Sequence, residues 1–324
     1  MGKKGPNRGS RSYWHRRRAK KLAPRMNAWA KKGKGLDGFV GYKAGMTHVS
    51  LIDSSDSPTK GQRVTKPVTI VEVPPVFVCA INVYKNTPEG LKLVSSAWCG
   101  NAPKEAKRTL TIAKKPNRKI EDLEKLLEGS SEVRVLAISQ PKKTAFAKKT
   151  PEVFEIAVCG KSANEQFEYA KSVFGKEVRA NEVFEEGDYA DVLAVTKGKG
   201  WQGVVKRFGV SLNWHKASKA RRRGGSIGPE RQGTVMYTIP RAGQMGFHRR
   251  MEKNKKIMKM VEKPLEVTPK GGFLHYGIPK SEVLLVEGSL PGPAKRLVRF
   301  RKSLTNTKNE KTEVLDVNTS SKQG

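Results

Sequence analysis

The sequence predicts a mainly β protein with an α/β insertion and two long cationic segments, an N-terminal arm and a central extension. Three observations carry that reading. Short runs rich in Val, Ile, Thr and aromatic residues recur between Gly, Pro, Asp and Ser clusters, as in antiparallel strands closing into a barrel or sandwich. Helical periodicity stands out in one stretch between residues 100 and 180. The 324 residues hold 64 Lys plus Arg against 30 Asp plus Glu, a formal net charge of +34 that is unevenly spread.

Self-repulsion at that charge burdens a compact fold unless a partner neutralises it. Nucleic acid is the leading partner, because phosphate attracts clustered Lys and Arg whatever the base sequence. No apolar run nears the roughly 18 residues of a spanning helix, and no lipidation or secretory signal is visible. We therefore expect a soluble, intracellular protein with no membrane partner. A hydrophobic content of 36% allows one or two modest cores, and the length allows about two domains. Cys79, Cys99 and Cys159 form no CxxC pair or zinc set and read as reduced, buried thiols.

Residues 1–35 form the basic arm; up to residue 34 it has thirteen Lys or Arg and no acid. Such a block is expected to stay unordered until a partner binds. Its Tyr13, Trp14 and Trp29 suit stacking on bases. From Leu36 follow GFVGYK, MTHVSLI, VTIVEV, VFVCAINVY and LKLVSSAW, with Pro74 and Pro75 forcing a break between the third and fourth. Residues 36–99, 180–210 and 260–302 are expected to build the barrel.

Residues 100–179 are the α/β insertion. IEDLEKLLEG sets Ile120, Leu123, Leu126 and Leu127 on one helical face and stops at Gly129. SANEQFEYAKSVFG opens on a capping box, Ser162 to Glu165, and gathers Phe167, Ala170, Val173 and Phe174. VRVLAIS and VFEIAV read as strands. Residues 119–191 hold fifteen acids against eleven Lys or Arg, so the cationic excess lies elsewhere. Residues 303–324 read as a polar, loosely ordered tail.

That excess is densest in residues 197–260, where seventeen Lys or Arg face only Glu230 and Glu252. Trp201, Phe208, Trp214, Tyr237 and Phe247 are interleaved with the cations, and no apolar period survives between residues 213 and 233. Burial cannot offset the entropy of ordering such a segment, so a polyanion must. Gly198, Gly200 and Gly203 spell GxGxxG after a strand-like run. A dinucleotide site also needs a following helix and an acid about 20 residues on. Here VVKRFG is too short, and Arg221, Arg222 and Arg223 stand where the acid belongs.

The five histidines are too scattered for a metal cluster, and no catalytic arrangement is present. We therefore expect no enzyme, no cofactor and no small-molecule substrate. His215 and His248 suit stacking on bases. The Arg221–223 run before Gly224 and Gly225, with Arg249 and Arg250, suits phosphate, since planar guanidinium forks pair with it bidentately. Charge alone equally allows a general nucleic-acid-binding or compacting protein.

Several of these blocks resemble one family. AVTKGKGWQGVVKRFG, GGSIGP, IPRAGQMGFHRR and EKNKKI are similar to the central signature of the universal L-three family of large-subunit ribosomal proteins. GFVGYKAGMTHV, VTIVEVPP and VEGSLPGPAKRLVRFRK resemble its outer strands, in order from residue 36 to 302. PRMNAWAKKG and the insertion resemble the archaeal/eukaryotic branch. The resemblance implies a six-stranded, translation-factor-like barrel and a structural role in the large subunit of the cytoplasmic ribosome. It implies early binding to large-subunit (23S-type) rRNA near its 3′ end, nucleation of assembly, and neighbouring large-subunit ribosomal proteins as partners.

It further implies that residues 211–259 form an RNA-penetrating extension directed toward the peptidyl transferase centre. Arg16, Arg17 and Arg18 of the arm would then meet rRNA. So would Lys199, Trp201, Lys206 and Arg207 on the way out, and Trp214, His215, Arg221, Arg222, Arg223 and Arg231 in the loop. Arg241, Gln244, His248, Arg249 and Arg250 would do so on the return. Gly228, Pro229 and Glu230 would form the tip, with Glu230 where eukaryotic relatives carry tryptophan.

Overall fold

The valine- and isoleucine-rich runs at the start of the chain form four strands: β1 (Gly38–Ile52), β2 (Arg63–Glu72), β3 (Val76–Thr87) and β4 (Gly90–Trp98). β-Branched side chains pack well on a pleated surface, which favours this state. The computed structural model describes residues 16–320 except 112, 114–117, 119, 128, 218, 219, 230 and 232. The described chain divides into two units: residues 22–194 with 251–320, and residues 16–21 with 195–250.

Among the described residues ten further strands follow: β5 (Glu132–Ile138), β6 (Val153–Ala157), β7 (Glu177–Val178), β8 (Tyr189–Val195), β9 (Gly198–Gln202), β10 (Gly243–Gly246), β11 (Arg249–Val261), β12 (Val283–Glu287), β13 (Leu297–Lys302) and β14 (Val314–Val317). The chain is thus mainly β, with several sheets. The largest has the order β13-β8-β11-β12-β2-β1-β14, and β13 pairs with β1 as well as with β8. Phe39, Leu51, Ile70 and Phe300 are fully buried against it.

The second sheet runs β4-β3-β5-β6, with β7 on β3. Residues 36–99, expected in one barrel, are therefore split at Pro74 and Pro75. β2 stays in the large sheet, while β3 joins β5 through pairs such as Phe77 with Ile138. Proline gives no ladder donor, so the chain changes sheets there.

Of the insertion's two helices, α2 (Ala163–Val173) is as expected. The Glu165 amide donates to the Ser162 hydroxyl, while Phe167, Ala170 and Val173 are buried. Helix α1 (Ile120–Glu124) is shorter than its pattern. The Leu126 and Leu127 amides donate to Leu123 and Glu124, three residues back instead of four. That tightening ends the helix early and leaves Leu126 exposed although Leu123 is buried.

The polar tail contains a strand. β14 pairs with the outer half of β1, Val49 opposite Val317, and the Thr47 hydroxyl donates to the Asn318 carbonyl at 2.6 Å. Backbone donors on that stretch of β1 need partners, and the tail supplies them. Residues 249–259, expected in the extension, are likewise strand, since β11 begins at Arg249 and pairs with β12 from Ile257 onward.

Among the described residues of the arm, the stretch 22–35 is also folded. Met26 and Trp29 are buried, so Trp29 is a core residue and not a stacking platform. Two buried arginines of β13 hold this stretch. Arg301 makes 2.7 and 3.1 Å bonds to Asp191 and a 2.6 Å bond to the Ala28 carbonyl. Arg299 donates to the Pro24 and Glu155 carbonyls at 2.9 and 2.6 Å. Tyr13, Trp14 and His15 lie outside the described residues. Nearby, the Asp37 carboxylate accepts from the Lys31 amide at 3.0 Å, and burial pushes its pKa up to about 6. Cys79, Cys99 and Cys159 are all buried thiols.

Candidate nucleic-acid interface

The cationic segment is built on a two-stranded stem. β9 and β10 are antiparallel, with Gly243 opposite Gln202 and Gln244 opposite Trp201. Gly246 has φ +73°, and a Cβ there would lie 2.1 Å from the Lys197 carbonyl oxygen, so only glycine lets the strands approach this closely. Gly198 of the GxGxxG run is the residue paired with Gly246, so the run belongs to this strand pair and not to a pyrophosphate cradle. After Gly203 comes helix α3 (Val204–Phe208), five residues long and closed by Gly209 in the left-handed conformation.

Arg207 of α3 is buried and turned inward. Its Nε donates to the Gln244 carbonyl at 3.0 Å and its Nη1 to the Arg241 carbonyl at 2.7 Å, tying helix to returning chain. Gln244 is also committed locally, its amide nitrogen donating to the Met245 and Gly246 carbonyls. Both were expected at RNA; both hold the stem.

The start of the described chain lies along this stem. Arg16 donates to the Arg207 carbonyl, and its guanidinium sits 4.1 Å from the Phe208 ring centroid. The Ala19 amide donates to the Phe247 carbonyl at 2.8 Å, and Arg18 lies over the Phe247 ring at 5.6 Å. His248 Nδ1 is 2.9 Å from the Arg17 carbonyl, so this ring is clipped to the arm and does not project for stacking. The Arg17 and Arg18 residues are exposed.

A groove of about 590 Å³ runs beside these contacts, lined by Arg16, Lys197, Lys199, Lys206, His248 and Arg250 among others. Burial, then the charges of Arg207 and Arg250, lowers the pKa of Arg16. Burial does the same to Arg250. Cations gathered this closely repel one another, and an anion in the groove relieves the repulsion.

Beyond the stem the chain is open. The Asn213 amide and side chain donate to the Arg221 and Ala220 carbonyls at 3.0 and 3.1 Å, closing a small loop. Trp214 stands on that loop 73% exposed, its ring 5.0 Å from that of His215. Arg221, Arg222, Arg223, Gly228, Pro229 and Arg231 are all exposed, as are Lys199, Lys206, Arg241 and Arg249. Trp201 is 77% exposed on β9. Glu230 lies outside the described residues. The site reading omitted Lys197, which lines the groove, and Tyr237, which is 65% exposed. Both sit in residues 197–260, where cations and aromatics are interleaved, which is the signal that could have found them.

The model of the family described as ribosomal protein L3 matches residues 2–324. A large ribosomal subunit protein uL3 from Caldivirga maquilingensis is 48% identical over 91% of this chain and 89% of its own length. One from Archaeoglobus fulgidus is 46% identical over 98% of both chains. One from Methanococcus vannielii is 45% identical over 100% of this chain and 99% of its own.

Proposed function

Because the chain belongs to the ribosomal protein L3 family, we propose that it is a structural, non-enzymatic constituent of the large subunit of the cytoplasmic ribosome. The observation that carries this is a family match spanning residues 2–324, which covers both the ordinary β units and the cationic segment. Its partners are large-subunit rRNA of the 23S type and the neighbouring large-subunit proteins. Binding is early, near the 3′ end of that rRNA, and nucleates assembly.

Six strands, β1, β2, β12, β11, β8 and β13, form a closed barrel of translation-factor type. The double pairing of β13, with β8 and with β1, supports closure of the ring. The central extension penetrates rRNA toward the peptidyl transferase centre, with Gly228, Pro229 and Glu230 at its tip. Its exposed arginines neutralise phosphates, and Trp201, Trp214 and His215 stack on bases; their exposure without apolar packing supports both roles. Arg16, Arg250 and the lysines of the groove take backbone phosphate.

The test is sedimentation with large subunits at high salt, coupled to competition at one fixed salt concentration. We expect the protein to stay with large subunits and to prefer large-subunit rRNA over double-stranded DNA. Equal competition by the DNA would replace this reading with a general nucleic-acid-compacting protein.

A further inference from the structure

Resting on the reading of the cationic segment as an RNA contact, we propose that His248 is where the stem groove tells RNA from DNA, its Nε2 accepting a hydrogen bond from a ribose 2′-hydroxyl. The groove's cations can meet a 2′-hydroxyl only at its oxygen and never at its proton. Arg16, Lys197, Lys199, Lys206 and Arg250 carry donors only, so they read phosphate, which RNA and DNA share. A 2′-hydroxyl offers a proton as well as lone pairs, and an acceptor that finds the proton distinguishes the two backbones.

Among the lining residues, Thr196 and His248 are the side chains with a nitrogen or oxygen lone pair. The Thr196 hydroxyl accepts from the His248 amide at 3.1 Å, which takes one of its two lone pairs, and because it can also donate to phosphate it does not select for a hydroxyl proton. On His248 the geometry fixes which nitrogen is bare. Nδ1 lies 2.9 Å from the Arg17 carbonyl, and a carbonyl can only accept, so Nδ1 holds the proton. Burial, followed by the charges of Arg250, Arg16 and Arg207, keeps the imidazole below its ordinary range and hence neutral; the Arg17 carbonyl opposes this in part. Nε2 is left as a lone pair with no partner among the described residues.

The ring is also held in place. It is 7% exposed, and its backbone is pinned to Thr196 by a 2.9 Å bond from the Thr196 amide to the His248 carbonyl. A fixed acceptor thus shares one groove with a set of phosphate-binding donors, so one nucleic-acid backbone can meet both. Stacking, the role His248 has in the sequence reading, needs an open ring face that this burial denies.

The experiment uses the full chain and three fluorescein-labelled hairpins of one sequence: RNA, DNA, and RNA with 2′-fluoro sugars, which keep the ribose-like pucker but have no hydroxyl proton. Binding is measured at one fixed salt concentration. The wild type is expected to bind RNA about fivefold more tightly than 2′-fluoro RNA, the worth of one ordinary net hydrogen bond. His248→Asn keeps an amide N–H for the Arg17 carbonyl but has no acceptor where Nε2 stood. It is expected to bind RNA and 2′-fluoro RNA alike, at the wild type's 2′-fluoro affinity.

An undiminished RNA preference in His248→Asn overturns the assignment while leaving the RNA-binding reading intact. Should that variant not fold, the wild type decides alone: equal affinity for RNA and 2′-fluoro RNA overturns it. A wild type that binds none of the hairpins removes the RNA-binding reading on which the assignment rests.

Discussion

Two basic runs look alike in the sequence and behave as opposites. In KRLVRFRK, strand β13 turns Arg299 and Arg301 into the larger unit, 3% and 2% exposed. Four carbonyl or carboxylate groups, those of Pro24, Glu155, Ala28 and Asp191, take up their guanidiniums. In KARRRGG, Arg221, Arg222 and Arg223 are all exposed. The first run is structural, and the second is free for a polyanion. What separates them is the setting: Leu297, Val298 and Phe300 in one, flanking glycine and no apolar neighbour larger than Ala220 in the other. Arg207 belongs with the inward set despite its place in the cationic segment. Net charge therefore overstates the number of phosphate contacts.

The sharpest way to break this division is to remove a partner of the inward set. Asp191→Ala strands the buried Arg301 charge, and we expect a loss of about 3–5 kcal/mol in a denaturant melt. An unchanged midpoint would mean that Arg301 reaches water. A second inward charge gives a pH signature. Asp37 has one carboxylate oxygen that is buried with no hydrogen-bond partner among the described residues, and burial raises its pKa from 3.8 to about 6. The folded state then binds that proton more tightly than the unfolded chain, so stability falls as pH rises from about 3.8 to about 6. Asp37→Asn should remove this slope and add about 1–3 kcal/mol at pH 7 but nothing near pH 3. Melts of both proteins at the two pH values check it, and a parallel slope in the variant would refute the cause.

For the outward set, Trp214→Ala should leave the melt within about 0.5 kcal/mol of wild type. It should weaken binding of single-stranded rRNA fragments by about 1–3 kcal/mol. A destabilised fold with unchanged affinity would place Trp214 among the packing residues.

The strands, the capped helix α2 and the break at Pro74 and Pro75 were legible because periodicity, capping and proline act locally. Sheet membership was not: which sheet β3 joins depends on β5, which lies far along the chain, with Phe77 paired to Ile138. The paired tail was hidden for the same reason, as nothing in residues 314–317 announces that β1 lacks a partner there. Within the candidate site, cations and aromatics could be read off as a class. Their direction could not: Arg207 and His248 are turned by backbone carbonyls that only the fold brings near, and Gln244 folds back on those of Met245 and Gly246 beside it.

The central claim, that outward arginines serve RNA and not the fold, is tested most directly by Arg222→Ala combined with Arg223→Ala. The measurement is the slope of log affinity for large-subunit rRNA against log salt, taken with a melt of the same protein. We predict a slope shallower by about two, one for each lost phosphate contact, with the melt unchanged. An unchanged slope, with the melt lowered instead, would contradict the account.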